Sequence, residues 1–127
     1  MKILVVDDES TSRLIALMAL RNLGHETHTA RDGADAWDTF QSLRPDVVIS
    51  DWMMPGMTGL ELCRKIRADV TESYSYFVMV TRHGARNQIL QGMAAGADDY
   101  LVKPLDPDDL QARLIAAARV TSLRNGS

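Results

Sequence analysis

Four short apolar runs, each separated from the next by helix-length sequence, constrain this chain most. They are Ile3-Leu4-Val5-Val6, Val47-Val48-Ile49, Phe77-Val78-Met79-Val80 and Tyr100-Leu101-Val102. None alternates apolar with polar residues, so neither face of these strands is built to meet water. A strand covered on both faces is typically parallel, with helices above and below the sheet. Five βα units with right-handed crossovers predict an α/β fold, a doubly wound parallel sheet. The runs lead into Asp7-Asp8, Asp51, Thr81 and Lys103. Ligands of open α/β sheets bind outside the carboxyl ends of the strands. The same pattern therefore gathers three carboxylates, a hydroxyl and an ammonium on one rim.

The intervening segments carry helix signals. Ser10 is placed to cap a helix over 11–23, with Leu14, Leu17 and Met18 as its apolar stripe and Gly24 as its stop. Residues 26–29 are short and polar, as in an edge strand. A helix over 33–42 ends before Pro45, and 46–50 form the next strand. Pro55-Gly56 and Gly59 mark a loop and the start of a helix reaching Ala68. Polar residues 69–75 read as a surface loop before a strand over 76–80. A helix over 85–95 is expected to turn Ile89, Leu90 and Met93 inward, with Gly96 ending it. Gly92 and Gly96 have the spacing of close packing. After a strand over 99–102, Asp106 caps a final helix, with Pro107 at its first position and Asp108 and Asp109 at its positive end. Leu110, Leu114, Ala117 and Ala118 are its expected buried stripe. The domain is expected over 1–120, with 121–127 a tail or linker stub.

Bulk properties exclude several classes. At 127 residues the chain fits one domain, and its formal net charge of -3 argues against nucleic-acid binding by this domain. Cys63 is the single cysteine, which excludes an internal disulfide and a cysteine-based zinc site. No apolar stretch approaches the roughly 20 residues of a membrane span. Met1-Lys2 leads straight into a strand, leaving no room for a signal peptide, so a cytoplasmic location is expected. His25, His28 and His83 lack ligand spacing. Met53, Met54 and Met57 read as loop packing, and Arg113, Arg119 and Arg124 as solvated. The nucleotide-binding GxGxxG and GxxxxGK[ST] patterns are absent.

The rim residues suit one chemistry. Asp7, Asp8 and Asp51 repel each other when close, and a divalent cation relieves that repulsion. Mg²⁺ prefers oxygen ligands and keeps several waters, so two carboxylates, a backbone carbonyl and waters would hold it. An aspartate at a strand end can act as a covalent nucleophile and form an aspartyl phosphate. Lys103 offers a compact positive charge to a phosphoryl oxygen, and Thr81 a hydroxyl donor. Singly, each has an ordinary role as a turn, cap or surface residue; together, at successive strand ends, they do not.

The chain resembles the receiver domain of two-component response regulators, from Lys2 to about Arg119. The resemblance is carried by Leu4-Val5-Val6-Asp7-Asp8-Glu9, the segment from Asp51-Trp52-Met53-Met54-Pro55 to Leu60, Thr81, and Ala95 to Pro104. It implies a flavodoxin-like sheet of order 2-1-3-4-5 with five helices. It implies that Asp51 accepts a phosphoryl group from a histidine of a sensor kinase or histidine phosphotransfer protein. Asp8 and Asp51 would bind Mg²⁺ with the backbone carbonyl of Met53, and Asp7 through a water. Lys103 would contact the phosphoryl group, Thr81 would move toward it, and Tyr100 would swing inward. The surface of the fourth helix, fifth strand and fifth helix would then signal to an output domain or partner. Such a domain is a switch that catalyses only its own phosphorylation and dephosphorylation.

Four positions depart from the family pattern or tune it. Arg82 follows Thr81 where a small residue is usual; it either crowds the entrance to Asp51 or attracts an anionic donor. Thr58 stands where aspartate is common and should cap a helix nearly as well. Met53 and His83 occupy positions that set the lifetime of the phosphoryl group. Two other readings compete. A phosphohydrolase of the aspartyl-phosphate type lacks its second aspartate here, where Met53 stands. A degenerate receiver serving only as an interaction module is disfavoured by the intact Asp, Thr and Lys set.

Overall fold

The computed structural model describes residues 1–69, 73–82 and 86–126. Its elements run β1 (Lys2–Val6), α1 (Ser10–Asn22), β2 (Glu26–Ala30), α2 (Gly33–Leu43), β3 (Val47–Asp51), α3 (Gly59–Ala68), β4 (Tyr76–Thr81), α4 (Arg86–Ala95), β5 (Asp99–Val102) and α5 (Pro107–Asn125). The strands form one parallel sheet in the order β2-β1-β3-β4-β5, as expected, with β2 on one edge.

The continuous apolar runs follow from cover on both faces. Ile3, Val5, Val47, Ile49, Val78 and Val80 pack with Leu20 of α1 and Leu110 and Leu114 of α5. Their neighbours Leu4, Val6, Val48, Phe77 and Met79 point the other way, onto Phe40 of α2 and Leu62 and Ile66 of α3. Phe77 is fully buried; burial of such a side chain contributes about 1.5–3 kcal/mol. Of the three caps named from sequence, those at Thr58 and Asp106 form. Thr58 accepts from the Glu61 N–H while Glu61 reaches back, and Asp106 accepts from the Asp108 N–H.

Three helix faces differ from expectation. In α1, Leu14 and Met18 are exposed and Leu17 is half-buried, while Ala16 and Leu20 meet the sheet. Apolar residues at 14, 15, 17 and 18 support more than one phase of the 3.6 repeat, and the small Ala16 takes the close approach. Glu9, not Ser10, is the N-cap, and it makes no side-chain cap bond. In α4, Leu90 and Met93 are exposed, Ile89 is half-buried, and Gly92 is the buried residue. Gly92 faces Trp52 and Met79, and a Cβ there would stand 3.5 Å from the Trp52 ring and 3.7 Å from Met79, in ordinary contact. In α5, Ala118 is exposed and Thr121 continues the buried stripe. Residues 121–125, expected as tail, are helical.

The segment before β4 is more than a surface loop in its described part. Ser75 is buried and donates to the Pro45 carbonyl at 2.6 Å. Arg67 of α3 donates to the carbonyls of Gly96 (2.9 Å) and Ser75 (2.8 Å) and to the Asp98 carboxylate (2.7 Å). Asp98 also accepts from the Phe77 N–H and the Tyr74 hydroxyl. The Tyr74 ring has the guanidinium groups of Arg67 and Arg124 each 4.5 Å from its centroid, and its backbone bonds Asn125 twice. Arg124 is thus engaged, and Arg113 lies 3.1 Å from Asp99 on β5; neither is simply solvated. His25 is half-buried, its ring nitrogen 3.2 Å from the Met1 amino group.

Candidate functional site

Every rim residue owes its position to a strand end. Asp51 is the last residue of β3 and pairs in register with Val80 of β4. The chain then turns sharply into α3, which Gly56 permits with φ +77°. Gly59 is required differently: a Cβ there would collide with the Asp51 carbonyl, and its N–H donates to Trp52 at 2.8 Å. Lys103 follows β5, and its N–H bonds the Thr81 carbonyl at 2.9 Å, which locks the ends of β4 and β5 together. The Lys103-Pro104 peptide is cis.

The side chains converge. Lys103 Nζ lies 2.8 Å from Asp51 Oδ2 and 3.2 Å from Asp7 Oδ2. Asp7 is buried and held rigidly: its Oδ1 accepts from the Glu9 N–H at 2.9 Å, and its carbonyl accepts from Arg13 at 2.8 Å. Asp7, Asp8 and Asp51 bring carboxylate oxygens within 4.8 Å of one another. That donor set, hard, anionic and crowded, fits a small divalent cation. Thr81 is 2% exposed, and its hydroxyl has no hydrogen-bond partner among the described residues. A buried hydroxyl left unpaired costs about 1–3 kcal/mol, so this one marks a place where an acceptor belongs.

Electrostatics leave Asp51 under strain. Burial pushes its carboxyl up from 3.8 to about 7; the Lys103 bond opposes this, and the bond and charge of Asp7 add to it. Burial also acts to lower Lys103, but its bonds to Asp51 and Asp7 outweigh that and hold its ammonium above the usual value. One ammonium thus serves two carboxylates, and Asp51 remains undercompensated.

Above these groups opens a cavity of about 720 Å³ that reaches Asp51, Thr81 and Lys103. Met53, 63% exposed, stands on its wall, as does the exposed Arg82. Met54 is buried in the core and Met57 packs against it. His83 lies outside the described residues. Tyr100 sits on β5 opposite Met79, on the surface and off the cavity wall. Two lining residues had not been singled out. Glu9 caps α1 beside the acidic pair, a signal present in the Asp-Asp-Glu run. Gln88 comes from the first turns of α4, and nothing in the sequence marks it.

A buried strand-end carboxylate beside an ammonium, an acidic pair and an unpaired hydroxyl defines a phosphoryl-accepting class of domain. The response regulator receiver domain matches residues 3–115, and the chain belongs to this family of phosphorylation-dependent signalling switches. Among relatives, the phosphate regulon transcriptional regulatory protein PhoB of Pseudomonas aeruginosa is 38% identical over 119 residues, covering 94% of this chain and 52% of its own length. The DNA-binding response regulator MtrA of Mycobacterium tuberculosis is 40% identical over 118 residues, covering 93% of this chain and 50% of its own. The chain therefore spans about half the length of these relatives. Among solved structures, a response regulator receiver domain protein from Clostridium thermocellum superposes with a TM-score of 0.89 at 31% identity, covering 96% of this chain and 97% of that one. The chemotaxis response regulator CheY4 of Vibrio cholerae gives 0.84 at 35% identity, covering 91% and 97%. No helix among the described residues is long and apolar enough to cross a membrane.

Proposed function

We propose that Asp51 accepts a phosphoryl group from a phosphohistidine of a sensor kinase or histidine phosphotransfer protein, in a Mg²⁺-dependent reaction in the cytoplasm. The observation that carries this reading is the buried Thr81 hydroxyl, without a hydrogen-bond partner among the described residues, beside an Asp51 carboxylate bound by Lys103. A phosphoryl group on Asp51 supplies the acceptor oxygens that this hydroxyl lacks.

Asp8 and Asp51, with the backbone carbonyl of Met53, would hold Mg²⁺, and Asp7 would act through a water. Bound there, the cation would offset the carboxylate charge and the charge of the transferred group. Asp51 Oδ attacks phosphorus, and the bond from phosphorus to the donor breaks. Lys103 then turns from the carboxylate to a phosphoryl oxygen, and Thr81 donates its hydroxyl to another. Drawing Thr81 toward the phosphoryl group opens space into which Tyr100 turns from the surface. The face of α4, β5 and α5 changes with it, which biases the binding of an output domain or partner. Water later releases the phosphoryl group without another enzyme. Met53 at the mouth of the cavity shields it and slows that release.

Trp52, 8% exposed and next to Asp51, reports on the site. Titrating Mg²⁺ and then beryllium fluoride, a phosphoryl mimic, should change its fluorescence in two saturable steps. Both should be lost in Asp51→Ala and kept in Trp37→Phe. A folded sample silent to both additions contradicts the reading.

A further inference from the structure

Arg82 is a cationic residue of the cavity wall that the proposed reaction leaves unused. It follows Thr81, the last residue of β4, and its side chain is exposed on the same cavity wall that reaches Asp51 and Lys103. Lys103 is committed to two carboxylates at 2.8 Å and 3.2 Å. Arg82 has no ion pair or hydrogen bond with any described residue, although Asp8 and Glu9 line the same cavity. Among the described residues its guanidinium is thus unpaired, a planar fork with donors suited to phosphoryl oxygens. Asp8 and Glu9 line the same cavity and oppose an approaching anion wherever a bound cation does not offset their charge.

From this we infer that Arg82 is a specificity-determining residue that selects phosphodonors by charge, favouring dianionic acyl phosphates over less anionic nitrogen-linked donors. The inference rests on Asp51 being the acceptor. With an acyl phosphate, a bond forms between Asp51 Oδ and phosphorus while the phosphorus–oxygen bond to the acyl group breaks. The electron pair of that bond leaves on the carboxylate product. With phosphoramidate, the phosphorus–nitrogen bond breaks and the already protonated nitrogen leaves as ammonia. Arg82 takes no proton in either case; it attracts the donor, and the attraction grows with the donor's negative charge. A partly exposed cation acts through solvent, so its effect must fade as salt screens it.

The test compares the parent with Arg82→Ala and Arg82→Lys, in Mg²⁺, with acetyl phosphate and phosphoramidate, at about 0.05 M and about 0.5 M salt. Phosphorylation rates are read by intact mass. Arg82→Ala should slow acetyl phosphate about 5–20-fold at low salt and phosphoramidate several-fold less. The gap should close at high salt, and Arg82→Lys should keep most of the parent's preference. Equal slowing of both donors, no change, or faster reaction in Arg82→Ala overturns the inference while leaving Asp51 as the acceptor. If the parent takes up no more phosphoryl group than Asp51→Ala, both readings fall together.

Discussion

The two ends of the sheet treat charge in opposite ways. At the amino ends of β4 and β5, Arg67 makes three hydrogen bonds, and Asp98 accepts from Arg67, Tyr74 and the Phe77 N–H. At the carboxyl rim, Asp7 and Asp51 share one ammonium, Asp8 is exposed, and Thr81 has a hydroxyl without a described partner. The first end ties α3, β4, α5 and the turn before β5 together. The second holds similar groups in place but leaves them unmatched. Stability is built where polar groups are satisfied, and reactivity is kept where they are not.

Substitutions should separate the two ends. Arg67→Ala leaves the Asp98 carboxylate without its cation and two carbonyls without their donor. It should destabilise the fold by about 2–4 kcal/mol, read from the denaturant midpoint. Asp51→Asn should do the reverse at the rim, stabilising by about 1–3 kcal/mol at neutral pH without Mg²⁺. The sign follows from proton binding. The folded carboxyl, at about 7, holds its proton more tightly than the unfolded one at 3.8. Its contribution to stability is therefore present below 3.8 and lost as pH rises through about 7. The gap between parent and Asp51→Asn should widen across that window in thermal melts. Adding Mg²⁺ should narrow it, by stabilising the parent more.

Smaller changes sharpen the contrast. Tyr74→Phe removes one bond to Asp98 but leaves the other two, and should cost about 1 kcal/mol in urea unfolding. Thr81→Val removes an unpaired hydroxyl at nearly constant volume. It should leave stability unchanged or raise it by up to about 1 kcal/mol, yet weaken beryllium fluoride binding, read by Trp52 fluorescence. A Thr81→Val loss as large as that of Arg67→Ala would erase the difference between the two ends.

The rim was legible in the sequence because each group sits at the end of an apolar run, and strand ends of a parallel sheet coincide in space. The capped starts of α3 and α5 were legible for similar local reasons, whereas the strand order came from the resemblance to receiver domains and not from spacing. The packed face of α1 was not legible, and that of α4 was so only in part. Leu14, Ile15, Leu17 and Met18 fit the helical repeat in several phases, and the small Ala16 that meets the sheet carries little hydropathy signal; in α4 the spacing of Gly92 and Gly96 marked the packed side, while Leu90 and Met93 pointed to the wrong one. The Arg67 network was invisible because its members lie 31 and 24 residues from one another along the chain with no shared period. The missing partner of Thr81 is a property of the packed structure and leaves no trace in composition or spacing.

The central claim is that the undercompensated carboxylate of Asp51 is the acceptor. Intact mass after incubation with a small acyl phosphate, with and without Mg²⁺, tests it most directly. The account predicts one phosphoryl group per chain, dependent on Mg²⁺ and absent from Asp51→Asn. Equal labelling of Asp51→Asn, or a folded parent that takes up none in Mg²⁺, would contradict it.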